Sequence, residues 1–310
     1  MASMSATSDG KHLAFRRTSH QSGTYVADLA PNQTRITNLR RLTLHEQESA
    51  SAWTVDGGAI IFSSSAKGRN GIFKQAVDGN SSQPIVTGPL PQEFAWPRVS
   101  PDGDWILYGA DAREDGLGSN SSTVQIMRVP IAGGIPQPVL TASIVDTLRC
   151  ARSPGTSCMI TELSPDRKQL IFTAVDPLKG RGRELARFQV DDPNGNYGAD
   201  ISPDGTRIAI VKVETGRIHI LSLSGEAPQE FTVANYITGL NWAADGRGLF
   251  VCTSTLRGSA LTHVNLQGRT QVVWEEEGGR GNYGAPSPDG RRLAIWGSTI
   301  TSNIWMLENF

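Results

Sequence analysis

The sequence predicts an all-β fold, a seven-bladed propeller of four-stranded antiparallel blades, on three observations. Turn signals of the form x-Asp-Gly recur at Asp9-Gly10, Asp56-Gly57, Asp102-Gly103, Asp204-Gly205, Asp245-Gly246 and Asp289-Gly290. Each is followed by a short run rich in β-branched and aromatic residues: KHLAF, AIIFSS, DWILYGA, TRIAIVKV, GLFVCTS and RRLAIWG. Such runs, bounded by turn residues, read as strands. No amphipathic period near 3.6 is sustained over a dozen residues, so no helix is expected.

The interval between Gly103 and Gly205 is twice the usual one. Ser164-Pro165-Asp166 would fill it, but that choice leaves no room for a last strand before Asn196. Taking Ser153-Pro154-Gly155 instead gives four strand-like segments, DTLRCAR, SCMITEL, KQLIFTAV and RELARFQV, and makes Ser164-Pro165-Asp166-Arg167 a hairpin turn within the unit. The anchoring glycines are then Gly10, Gly57, Gly103, Gly155, Gly205, Gly246 and Gly290, at intervals of 47, 46, 52, 50, 41 and 44 residues. A fixed period of this size is the signature of a blade repeat. Four strands are clearest after Gly57, in EFAWPRVS, DWILYGA, TVQIMRVPI and PQPVLT. The whole chain, residues 1–310, reads as one propeller domain. The last unit lacks an outer strand of its own. Either its blade has three strands, or the chain is a fragment whose upstream part supplies the fourth.

Charge and hydropathy restrict what such a ring does. Lys plus Arg number 29 against 30 Asp plus Glu, a net charge of −1, so no bulk positive field attracts nucleic acid or anionic membrane. No apolar run is long enough to span a bilayer, and MASMSATSDG has no signal-peptide core, so no membrane insertion by this segment is expected. The sequence does not choose between a cytoplasmic and an extracytoplasmic setting for the parent protein, and a monomer is expected.

ISPDGTRIAIVKV, PSPDGRRLAIWGS and VSPDGDWILYGA, with partial matches in TSDGKHLAF, WTVDGGAIIFSS and WAADGRGLFVCTS, resemble the TolB-type, WD40-like repeat of bacterial propellers. The unit with SPGTSCMI departs from it. TSNIWMLENF and VDPLKGRGRELARF are also similar to propeller domains attached to bacterial serine/threonine kinases and winged-helix regulators. The resemblance covers essentially the whole chain. It implies a sensor or scaffold, but propellers host binding modules and enzymes alike.

The sequence has no G-x-S-x-G elbow, P-loop, dinucleotide fingerprint, kinase motif or H-E-x-x-H pair. His219 and His263 fall in matching third strands and read as structural. Polar acceptors recur eight to eleven residues before the anchors at Glu48, Glu93, Asp146, Asn196, Asn235 and Asn282, where inner strands begin to line a central tunnel. Glu48, Glu93, Asp146, Asn196 and Asn282 offer the oxygens a calcium ion takes. In propellers resembling lactonases and phosphotriester hydrolases such an ion acts as a Lewis acid. The alternative is a solvated tunnel mouth. The repeated Asn-Tyr-Gly-Ala places Tyr197 and Tyr283 near the tunnel, where they either stack a ligand or fill space between blades; Trp53, Trp96 and Trp242 read as inter-blade packing. Cys150 and Cys158 flank the Gly155 turn on adjacent strands, open either to a cross-strand disulfide or to two buried thiols. Two functions remain. One is a non-catalytic binding or sensing propeller, needing no cofactor, that engages a protein or small-molecule ligand at its loops or tunnel. The other is a calcium-dependent hydrolase of lactones, esters or phosphotriesters.

Overall fold

The computed structural model describes residues 4–9, 11–43, 48–66, 69–89, 93–111, 123–143, 148–152, 155–233, 236–278 and 283–308. Among these residues all regular structure is strand, gathered into six antiparallel sheets around one axis. Blade one runs outward from the axis through Glu48–Trp53, Ala59–Ala66, Arg69–Ala76 and Ser82–Pro89. Blade two follows with Glu93–Val99, Trp105–Asp111, Thr123–Pro130 and Gln137–Ser143, and blade three with Arg149–Cys150, Cys158–Leu163, Gln169–Asp176 and Gly180–Gln189. Blade four comprises Tyr197–Ile201, Arg207–Lys212, Arg217–Ser222 and Gln229–Thr232. Blade five comprises Ile237–Trp242, Gly248–Ser254, Gly258–Asn265 and Thr270–Glu277.

Blade six corrects the expected number of blades. Its inner strand is Tyr283–Pro286 and its second is the first part of Arg292–Glu308; the third and fourth come from the start of the chain, His12–Leu29 and Ile36–Arg41. The units anchored at Gly10 and Gly290 therefore share one sheet, and the described residues form six blades, not seven. The last blade is not three-stranded, because Tyr25 pairs with both Ile295 and Arg41 and so carries the sheet out to its edge. The physical reason lies in two long strands. KHLAF and TYVADLA read as separate strands, but the Ser22-Gly23 pair between them stays extended, paired with Ser298 and Gly297, and they run on as one strand paired from His12↔Glu308 to Asp28↔Arg292. Beyond the blade they form a ribbon, edged by Met4–Ala6, on which Ile304, Trp305, Met306 and Leu307 are exposed.

Six apolar clusters, one between each adjacent pair of blades, close the ring. The second strand of blade four shows how. Ile208, Ala209, Ile210 and Val211 are all buried because both faces of the strand are covered. Ile208 and Ile210 pack toward blade three, while Ala209 and Val211 pack toward blade five. Trp242 is fully buried in the latter cluster and donates its indole N–H to Asp200 O at 3.0 Å; Trp53 likewise donates to Ala285 O at 2.8 Å across the closure. Trp96 is half-buried against the cluster between blades two and three.

The anchoring turns that begin at Thr54, Ser100, Ser202 and Ser287 share one hydrogen-bond design. In Ser202-Pro203-Asp204-Gly205 the Ser202 hydroxyl donates to Asp204 and accepts from the Arg207 N–H, while the Gly205 N–H donates to Ser202 O. Gly57, Gly103, Gly205, Gly246 and Gly290 all take the left-handed conformation that such a turn requires. Gly155 is needed for a different reason. A Cβ there would stand 2.5 Å from Pro203 O and 2.7 Å from the Ala151 Cβ. Ser164-Pro165-Asp166-Arg167 is the within-blade hairpin expected from the spacing, joining the second and third strands of blade three.

Candidate functional site

The inner strands end at the anchoring turns, and the residue five places before each anchoring glycine faces the axis. In blades one to six these residues are Ala52, Arg98, Cys150, Asp200, Asn241 and Ala285, and all six line a single cavity of about 100 Å³. Arg149, Arg152 and Ser100 complete its polar wall, and Val55, Pro101 and Pro288 lie on the turns bordering it. A bulge between Ala95 and Arg98, with Trp96 in a left-handed conformation, redirects the blade-two strand at this level.

Tyr283 joins four blades through one oxygen. Its hydroxyl donates to Asn241 Oδ1 at 2.9 Å and accepts from Arg149 Nη1 at 3.2 Å and Arg98 Nη2 at 3.4 Å. One donor and two acceptors are all that a hydroxyl has. Arg149 also donates from Nε to Ala199 O at 2.8 Å and lies 3.7 Å from Asp200 Oδ1; Asp200 Oδ2 accepts from the Trp242 N–H at 2.9 Å. Burial pulls the Arg152 guanidinium below its ordinary value, with Asp200 and Tyr283 opposing that shift. Its Nη1 is buried with no acceptor among the described residues. Among the described residues the level brings together the guanidinium groups of Arg98, Arg149 and Arg152 and the carboxylate of Asp200.

The groups that would act as a nucleophile or base here are already engaged. Ser100 Oγ donates to Asp102 and accepts from the Trp105 N–H, Cys150 is in a disulfide with Cys158 opposite it, and Asp200 and the Tyr283 hydroxyl are committed as above.

Most of the residues expected to line the tunnel fall outside the described residues or have side chains that do. Glu48 and Glu93 open their inner strands, opposite Ser64 and Asp111, at the end away from the cavity; their side chains are outside the described residues. Asp146, Asn235 and Asn282 also lie outside the described residues. Asn196 is exposed, and its main chain bonds to Glu214 and Val213. Among the described residues no group of three or more His, Cys, Asp or Glu is arranged to hold a metal. Tyr197 is buried between blades three and four, with its hydroxyl on Asp191 Oδ1 at 2.5 Å, so it fills space rather than stacking a ligand. Tyr283 does reach the cavity polar network, but its hydroxyl binds the ring together. His219 packs on Phe188 and His263 on Phe250, and burial lowers both imidazoles, as for structural histidines. The spacing of eight to eleven residues missed Arg98, Arg149, Arg152, Asp200 and Asn241. Counting five residues back from each glycine finds Arg98, Asp200 and Asn241 directly.

No family model matches the sequence, and no curated protein matches it. Solved structures do resemble it. The putative TolB from Agrobacterium tumefaciens superposes with a TM-score of 0.57 at 17% identity, covering 90% of this chain and 98% of that one. TolB from Acinetobacter baumannii gives 0.53 at 16% identity, over 83% of this chain and 64% of that longer one. An oligogalacturonate lyase in complex with manganese gives 0.51 at 11% identity, over 97% and 96%. The fold is thus that of the TolB-like propellers. Among the described residues no helix is long and apolar enough to cross a membrane.

Proposed function

We propose that this chain is a non-catalytic binding propeller whose ligand seat is the axial cavity at the anchoring turns. The observation that carries the reading is the state of the cavity's reactive groups. Ser100, Cys150, Asp200 and Tyr283 are each held in structural bonds, while the guanidinium groups of Arg98, Arg149 and Arg152 line the space as fixed donors. Catalysis needs a group poised to move a proton or an electron pair; binding needs only fixed donors. The TolB likeness supports a ring that presents a surface rather than a reaction centre, and the lyase likeness shows that the same ring also accommodates enzymes.

Mass spectrometry of compounds released from the purified, washed protein on denaturation tests the reading. One class of small molecule should be retained by the wild type and lost from Val55→Trp, which fills the border of the cavity. Turnover of chromogenic esters or phosphotriesters that EDTA abolishes would instead establish a hydrolase.

A further inference from the structure

We infer that this chain forms a two-fold dimer by pairing the free edge of its ribbon with the same edge of a second copy. The inference goes beyond the binding reading and stands independently of it. In the ribbon Met4–Ala6 pairs with the start of His12–Leu29, and that strand pairs with the end of Arg292–Glu308. On its other side Arg292–Glu308 meets Tyr283–Pro286 only as far as Trp296. From Gly297 onward that side has no strand partner among the described residues. An open edge of this kind is a template for another strand.

The outer edges of the blades are guarded. Each outer strand carries a proline or a charged residue, among them Pro84, Pro138, Arg183, Glu230, Glu275 and Arg40 in blades one to six. In five blades the outer strand also breaks register with a bulge, and in blade four it is only four residues long. These are devices by which sheets avoid pairing edge to edge. The ribbon edge has none of them. From Gly297 to Leu307 it contains no proline and no charge, its ladder with His12–Leu29 has no bulge, and Ile304, Trp305, Met306 and Leu307 are exposed.

Symmetry and charge identify the occupant. Met4, Phe15 and Trp305 stand opposite one another in an apolar row that ends at the open edge. A second copy turned about an axis through Trp305 sets the two Trp305 side by side and continues the row through its own Phe15 and Met4. The same register sets Ile304 beside the second copy's Met306, so apolar cross-strand pairs form throughout its centre. Between Gly297 and Glu308 the edge has one charge, Glu308, and antiparallel pairing puts the two carboxylates at opposite ends; in-register parallel pairing would set them together. The ladder runs from Ser302 to Glu308 and buries less than the roughly 800 Å² per partner of a stable complex, so the dimer should dissociate on dilution through the micromolar range.

Sedimentation of the wild-type chain across concentrations tests the inference, and should show dimer giving way to monomer on dilution. Ile304→Lys, at an exposed position outside the ring, should weaken association roughly tenfold or more, since it places a charge on the edge. Trp305→Cys tests the register, because the two thiols would meet on the axis and oxidation should link them into a dimer. Leu307→Cys, which would face Asn303 of the second copy, should cross-link far less; Cys252 is buried and takes no part. A wild-type monomer at every concentration, bare or with another protein's strand on this edge, would overturn the inference. So would association undiminished in Ile304→Lys, or equal cross-linking of the two cysteine variants.

Discussion

Each inner strand has positions that face a neighbouring blade and positions that face the axis, and the two follow different rules. Between blades the chain repeats itself. Tyr197, Ala199 and Ile201 bury toward blade three, and Leu240 and Trp242 bury toward blade four. On the axis the equivalent position is different in most blades: Ala52, Arg98, Cys150, Asp200, Asn241 and Ala285. Repetition builds the ring, because each blade must match the next. Departure from repetition builds the site, because a ligand breaks the symmetry.

The largest effect should come from breaking the repeated layer. Trp242→Ala removes a fully buried indole and its bond to Asp200, and should destabilise the ring by about 3–5 kcal/mol in urea unfolding. Gly155→Ala tests the contact between the turns of blades three and four. Its Cβ would collide with Pro203 O, and the expected loss is about 1–3 kcal/mol by the same measurement. A smaller effect sharpens the comparison at the outer end of the interface. The Lys212 ammonium and the Tyr197 hydroxyl hold the Asp191 carboxyl down at about 2. A depressed carboxyl stabilises the fold above its unfolded value of 3.8, and that contribution disappears as pH falls toward 2. Asp191→Asn should therefore flatten the pH dependence of stability between these limits, as read by acid unfolding.

The same division explains what was legible in the sequence. Turns and apolar runs are local signals, so the four segments around Gly155 and the within-blade hairpin at Asp166 followed from spacing alone. The opposition of Cys150 and Cys158 was readable as well, because a short hairpin places its arms in register. The number of blades was not. A strand motif says that a segment pairs but not with which partner, and TYVADLA pairs with the distant second strand of blade six. The site was only half readable. Arg98, Asp200 and Asn241 sit at a fixed offset from their glycines, whereas Arg149 and Arg152 lead into a blade-three turn whose sequence departs from the repeat. Glu48 and Glu93 stand at the opposite strand ends, since polar residues are tolerated wherever a tunnel meets water.

The binding reading is tested most directly by mass spectrometry of the compounds released on denaturation from the purified, washed protein and from Val55→Trp, whose added ring fills the border of the axial cavity. The account predicts one class of small molecule released from the wild type and none from the folded variant. Release of the same compound from both, or turnover of chromogenic esters or phosphotriesters that EDTA abolishes, would contradict it.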